Sequence, residues 1–153
     1  MGKETRDEIS NQTMEDLLGA WMAMSIGIKG NRILKDLSFN EMVICRLLYQ
    51  ARLEKREITA TEICGETRLL KSQVNKVLGD MEKKGLVYRQ RDSEDKRRVF
   101  LRMKEESVET YLAEHAHVMS IIEQVCRRLS RQEVELLIEK MGKVVTVMDE
   151  IDP

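Results

Sequence analysis

At Gly85 the chain changes its hydrophobic period. Upstream, Val74, Val77, Leu78 and Met81 recur at three- and four-residue steps, the period of a helix with one buried face, and Lys83 and Lys84 place cations in its last turn. Downstream, "LVYRQR" and "RVFLRM" alternate apolar and basic residues on either side of "DSEDK". That is the period of two paired strands joined by a loop of about five residues. Leu86 and Tyr88 are expected on one face of the first strand, Val87 and Arg89 on the other. A helix that stops at a glycine and passes straight into a basic hairpin leaves few folds open.

The rest of the chain reads as helix. Met14, Leu17, Leu18, Trp21, Ser25 and Ile28 give a first helix that Gly27 and Gly30 weaken and that should end near Lys35. Ser38 with Glu41 forms a capping box, and Leu37 with Met42 has the spacing of a hydrophobic staple, so a second helix is expected from Phe39 to Glu54. Thr59 with Glu62 repeats the box and opens a short third helix through Ile63 and Cys64, which Gly65 and Thr67 should end. The fourth begins at Lys71. A long fifth helix from Glu105 to Arg128 carries Val108, Tyr111, Leu112, His115, Met119, Ile122 and Cys126, and Ser130 with Glu133 caps a sixth. With one proline and eight glycines in 153 residues, a mainly α chain is the expectation. The first, fifth and sixth helices carry more apolar stripe than a domain this small can cover, and a symmetric dimer is the economical way to cover it.

Charge points to the partner. Residues 71–104 hold eleven Lys and Arg against five Asp and Glu, a local +6 in a chain whose formal net charge is -1. Such asymmetry suits an anionic partner meeting one part of the molecule. Two short helices followed by a basic hairpin is the order of a winged helix-turn-helix, and a helix fits the major groove of duplex DNA. On a helical wheel Ser72 and Lys76 lie opposite Val74 and Leu78, with Gln73 and Asn75 flanking them. Asn and Gln can pair with adenine, Lys with guanine or phosphate, and Ser with phosphate, so Lys71, Ser72, Gln73, Asn75 and Lys76 form a candidate reading surface.

"ITATEICGETRLLKSQVNKVLGDMEKKGLVYRQRDSEDKRRVFLRM" resembles the winged core of MarR-type transcriptional regulators. The most specific pieces are "SQVNKVLGDMEKKGLVYR", similar to the family's recognition helix running into its wing, and Asp95-Lys96-Arg97, similar to its wing motif. The resemblance implies a mainly α fold with a small hairpin wing, in which residues 37–104 bind DNA and residues 1–36 and 105–153 dimerise within one integrated domain. It implies a homodimeric, cytoplasmic repressor on a palindromic operator, with half-sites about 10 bp apart. Arg97 would enter the minor groove and Asp95 would orient it through a salt bridge, while Arg89, Arg91, Lys96 and Arg98 add charge toward phosphate. It also implies release by a small apolar or aromatic effector held near Trp21, Met24, Met42, Tyr49 and Tyr111. Three departures stand out: Leu70 where a capping Asp or Ser is common, Asn75-Lys76 where Thr-Arg is frequent, and "LRMKEES" at the entry to the fifth helix.

The competing reading is a helical adaptor whose winged domain and basic hairpin bind an acidic protein. An enzyme is not expected, because no GxGxxG, Walker, HExxH or GxSxG pattern is present. His115 and His117 lie about 200° apart on a helix and cannot readily share a metal, so neither metal nor cofactor is expected. Cys45, Cys64 and Cys126 lack CxxC spacing and read as small buried hydrophobes in a reducing compartment. No apolar run suggests a leader peptide or a membrane span.

Overall fold

The computed structural model describes residues 9–30 and 33–151. Among these the elements are α1 (Asn11–Lys29), α2 (Phe39–Leu53), α3 (Ala60–Thr67), α4 (Lys71–Lys83), β1 (Val87–Arg91), β2 (Val99–Met103), α5 (Glu105–Cys126) and α6 (Arg131–Ile151). This is the winged helix-turn-helix order with helices before and after it. The chain forms two compact units, one up to Glu114 and one from His115 onward.

In the first unit, α2, α3, α4 and the hairpin enclose the core. Ile44, Ile63, Val74, Leu78 and Met81 are fully buried, and Val87, Leu101, Val108 and Tyr111 close around them. Burying a side chain of this size is worth about 1.5–3 kcal/mol, so the stripe on α4 fixes which face of that helix remains outside. The strands pair antiparallel from Val87 opposite Met103 to Arg91 opposite Val99. The Leu101 N–H reaches across to the carbonyl of Ile58 at 2.8 Å, and Thr59 bridges Phe100, so the wing is anchored to the start of α3.

Local signals set most helix ends. Ser38 Oγ accepts from the Glu41 N–H at 3.3 Å while the Glu41 carboxylate accepts from the Ser38 N–H at 2.9 Å. The Thr59–Glu62 box is likewise reciprocal, and hydrogen bonds from Thr59 hold the Glu62 carboxyl below its ordinary value. Gly85 adopts φ +72°, the left-handed conformation that costs glycine nothing, and its N–H bonds the Glu82 carbonyl.

Several ends fall elsewhere than expected. α1 stops at Lys29, not near Lys35, because the Gly30 N–H closes onto the carbonyl of Ile26. α3 does end at Thr67, as expected, but it runs through Gly65, and Arg68 at φ 59° stops it, with Thr67 Oγ1 donating back to the Ile63 carbonyl. α5 ends at Cys126, two residues early, and the wing loop spans residues 92–98, seven rather than five. In β1 Val87 is buried while Tyr88 faces out and Leu86 is half-buried.

The terminal helices behave differently from the core. Neither α1 nor α6 buries any residue, and Leu17, Leu18 and Met22 on α1 and Leu137, Ile138 and Met141 on α6 are largely exposed. In the second unit the later part of α5 also leaves Met119 and Ile122 exposed. Cys45 is buried and Cys64 half-buried, but Cys126 is exposed, which corrects the expectation that all three thiols are covered.

Candidate nucleic-acid interface

With Val74, Leu78 and Met81 turned into the core, α4 presents Lys71, Ser72, Gln73, Asn75 and Lys76 to solvent. Leu70 stands at the N-cap and supplies no side-chain cap. Gln73 compensates from the other side, its Oε1 accepting the Leu70 N–H at 3.0 Å. The amide oxygen of Gln73 is therefore occupied by its own helix, whereas Asn75 has no such commitment among the described residues.

The wing tip is folded by its acids. Asp92 Oδ1 accepts the Glu94 N–H and Asp95 Oδ1 accepts the Arg97 N–H, each at 3.0 Å, the side-chain turns that favour Asp in tight loops. The Asp95 carbonyl takes the Arg98 N–H at 2.9 Å, and the Asp92 N–H closes the loop onto the Arg98 carbonyl at 3.0 Å. Asp95 thus positions Arg97 through the backbone. No salt bridge joins their side chains among the described residues, so the orienting ion pair expected from the sequence is replaced by a turn.

The basic residues of the hairpin separate into two groups. Arg89 pairs with Glu82 at 2.8 Å, Arg102 pairs with Glu57, and Arg98 stacks its guanidinium 5.1 Å from the Phe100 ring centre. Arg91, Lys96 and Arg97 are exposed and have no acidic partner among the described residues, as do Lys71 and Lys76 on α4. The outer face of α4 and the wing tip therefore each carry cations without an acidic partner among the described residues, Lys71 and Lys76 on the helix and Arg91, Lys96 and Arg97 on the wing.

Behind this surface lie two carboxylates whose tertiary roles the sequence did not reveal. Glu41, only 3% exposed, accepts Lys84 Nζ at 2.6 Å and so ties the end of α4 to the start of α2. Burial pushes the Glu41 carboxyl up, but the Lys84 and Ser38 hydrogen bonds outweigh it and hold the group below its ordinary value. Glu114 is equally buried and accepts the backbone N–H groups of Lys35, Asp36 and Leu37 at 2.8, 2.7 and 3.2 Å. Its signal was an acid three residues beyond Tyr111 on the inward face of α5. Lys84, which could have been read as a phosphate contact, is held by Glu41.

Among the described residues, the five expected near an effector fall into two groups. Tyr49 and Tyr111 pack ring to ring with centroids 5.2 Å apart, and Met42 lies against the same core. Burial pushes the Tyr111 hydroxyl above its ordinary value. Trp21 and Met24 lie exposed on α1, where Trp21 borders an open apolar hollow with Leu18, Met22 and Ile26. Among the described residues no cluster of three His, Cys, Asp or Glu could hold a metal ion, and no helix is long and apolar enough to cross a membrane.

The MarR family model matches residues 45–98, from the middle of α2 through the wing loop. Solved structures share the fold over nearly the whole chain. The PcaV transcriptional regulator of Streptomyces coelicolor, in complex with its natural ligand, superposes with a TM-score of 0.73 at 14% identity, covering 91% of this chain and 96% of that one. The transcriptional regulator BldR of Sulfolobus solfataricus gives 0.67 at 20% identity, covering 90% and 99%. NadR in complex with 4-hydroxyphenylacetate gives 0.61 at 22% identity, covering 94% and 97%. No curated protein matches the chain significantly. The winged core is thus matched by the MarR family model, and the fold is shared over nearly the whole chain with solved transcriptional regulators.

Proposed function

We propose that the chain is a dimeric, sequence-specific binder of double-stranded DNA that acts as a cytoplasmic repressor and is released by a small apolar or aromatic effector. The observation that carries this reading is the placement of cations without acidic partners on the outer face of α4 and at the wing tip, while Arg52, Arg56 and Arg102 nearby are paired. Unpaired cations cost nothing in water and are free to neutralise phosphate, releasing counterions as they do so. In this reading α4 enters the major groove, where Asn75 and Gln73 meet base edges, and Arg97 reaches the minor groove.

Dimerisation is supported by the uncovered stripes of α1 and α6, each of which a second copy would cover. Residues 1–36 and 105–153 are accordingly proposed as the dimerisation region and 37–104 as the DNA-binding region. Two winged domains would then meet an inverted repeat with half-site centres about 10 bp apart. An effector that prefers another spacing of the two α4 helices would weaken operator binding by its differential affinity for the two arrangements. The ligand-bound structures of PcaV and NadR support the effector half of the proposal, and Trp21, Met24, Met42, Tyr49 and Tyr111 are the residues proposed to meet it.

Selection of duplexes from a random pool by the full-length protein tests the reading. An enriched inverted repeat, retained against competitor DNA, is the expected result. Binding without preference for any duplex would instead leave the acidic-protein adaptor as the better account.

A further inference from the structure

Leu70 is 67% exposed, whereas Leu69 beside it packs on the core. A single exposed leucine is ordinary on a protein surface, but the place of this one is not. It stands at the N-cap of α4, where Ser, Thr, Asp or Asn would cap the helix and Leu is among the poorest choices. Its neighbours Arg68, Lys71 and Ser72 are exposed and polar, so it extends none of the apolar stripes of α1, α5 or α6. The missing cap is supplied by Gln73, whose Oε1 accepts the Leu70 N–H at 3.0 Å.

That bond fixes what Gln73 has left to offer. A backbone N–H only donates, so the amide oxygen must be the atom turned toward it. Nε2 with its two hydrogens is the end that remains, and it has no acceptor among the described residues. The planar pairing of glutamine with adenine needs both ends of the amide, oxygen to N6 and nitrogen to N7. Committed to its own helix, Gln73 is a donor alone. The first turn of α4 therefore presents an N–H donor and an apolar side chain, three residues apart and joined by one hydrogen bond. Of the four bases, only thymine carries an acceptor, O4, and a methyl group on its major-groove edge.

We infer that Leu70 and Gln73 together read a thymine, one in each half-site, with Leu70 packed on the C5-methyl and Gln73 Nε2 donating to O4. Guanine O6 and N7 would satisfy the donor but leave Leu70 against a polar edge, and adenine would require the cap to break. The inference rests on the DNA-binding reading above and adds the base that is read. It also gives the leucine a task at a position where serine would cap the helix better.

A duplex selected by the full-length protein supplies the test. Each thymine of a half-site is replaced in turn by deoxyuridine, which lacks only the methyl, and by 5-methylcytosine, which keeps the methyl but sets an amino donor in place of O4. Affinities of wild type and Leu70→Ser follow from fluorescence anisotropy, alongside thermal melts. At one thymine per half-site, deoxyuridine should weaken wild-type binding about fourfold, the worth of one buried methyl group, and 5-methylcytosine should weaken it by more. Leu70→Ser, whose hydroxyl caps α4 directly, should melt no lower than wild type and bind the thymine and deoxyuridine duplexes equally. Deoxyuridine tolerated within twofold at every thymine, 5-methylcytosine accepted as well as thymine, or a Leu70→Ser protein as sensitive to the methyl as wild type would overturn the pair and leave the operator reading intact. A pool that yields no enriched duplex is a different result, and it would remove both.

Discussion

Lys84 Nζ donates to the Oε1 of Glu41 across 2.6 Å, so the last turn of the proposed recognition helix is fastened to the first turn of α2. A buried carboxylate deprived of its cation is costly, and Lys84→Ala should destabilise the fold by about 1–3 kcal/mol in urea unfolding at pH 7. Because the folded carboxyl titrates below the unfolded value of about 4.3, its contribution is present above that value and disappears as pH falls through the folded one. The stability gap between wild type and Glu41→Gln should therefore be widest near neutral pH and narrow by pH 3. A gap that stays constant would place the effect outside this carboxylate.

Glu114 gathers the N–H groups of three successive residues between α1 and α2, a task no neutral side chain of its size can match. Glu114→Ala should cost about 3 kcal/mol, lowering Tm by roughly 6–12 °C in a chain of this length. Calorimetry of the two proteins at equal concentration checks it. A loss below about 1 kcal/mol would show that water replaces the carboxylate adequately.

Lys55 sits at φ 53° in the turn after α2, where its N–H bonds the Arg52 carbonyl and the Arg56 N–H bonds the Ala51 carbonyl. This is the left-handed helix stop at which glycine is usual. Lys55→Gly should stabilise the protein by about 0.5–1 kcal/mol, relief of the left-handed strain exceeding the entropy lost on ordering a glycine. Lys55→Ala, measured in the same unfolding series, should bring no such gain.

Cys45 is 1% exposed, and burial, reinforced by the charge of Glu41, pushes its thiol up to about 12. Brief iodoacetamide treatment at pH 8 should leave Cys45 unmodified in the native protein and modify it after unfolding. Because the folded thiol titrates above the unfolded one, its stabilising share is complete below about pH 8.5 and lost as pH climbs toward 12. Native labelling at the unfolded rate would contradict the packing described for α2.

How much of this was legible in the sequence depended on range. The three capping boxes, the glycine stop at Gly85 and the buried stripe of α4 are encoded within a few residues, and each appeared where its spacing placed it. The Glu41–Lys84 pair joins residues 43 positions apart and the Glu114 bonds span nearly 80, so no local pattern could announce them. Gly30 carries the local signal of a weak point within a helix but acts as the cap, so α1 ends before Lys35. The wing loop is longer than the pattern implies, because Arg97 and Arg98 continue the basic alternation while the Asp92 and Asp95 turns hold them outside the strands. Cys126 shared the periodicity of the α5 stripe, but periodicity marks a face without saying whether the same chain covers it.

Within the proposed interface, Asn75 is a cleaner probe than Gln73. Gln73→Ala removes a helix-capping bond along with any base contact, so about 0.5–1 kcal/mol of stability should go with it. Asn75→Ala should relax preference at one base position in each half-site and leave Tm nearly unchanged. Repeating the duplex selection with each variant, alongside thermal melts, separates the two contributions.

The most direct test of the account is fluorescence anisotropy of a selected duplex titrated with wild type and Arg97→Ala over a series of salt concentrations. Arg97 is exposed, lacks an acidic partner and is held at the wing tip by a backbone turn, so its loss should not disturb the fold. The variant should bind more weakly by about 1–3 kcal/mol, with a salt slope shallower by about 1. Equal affinity and equal slope for the two proteins would contradict the assignment of the wing as a DNA contact.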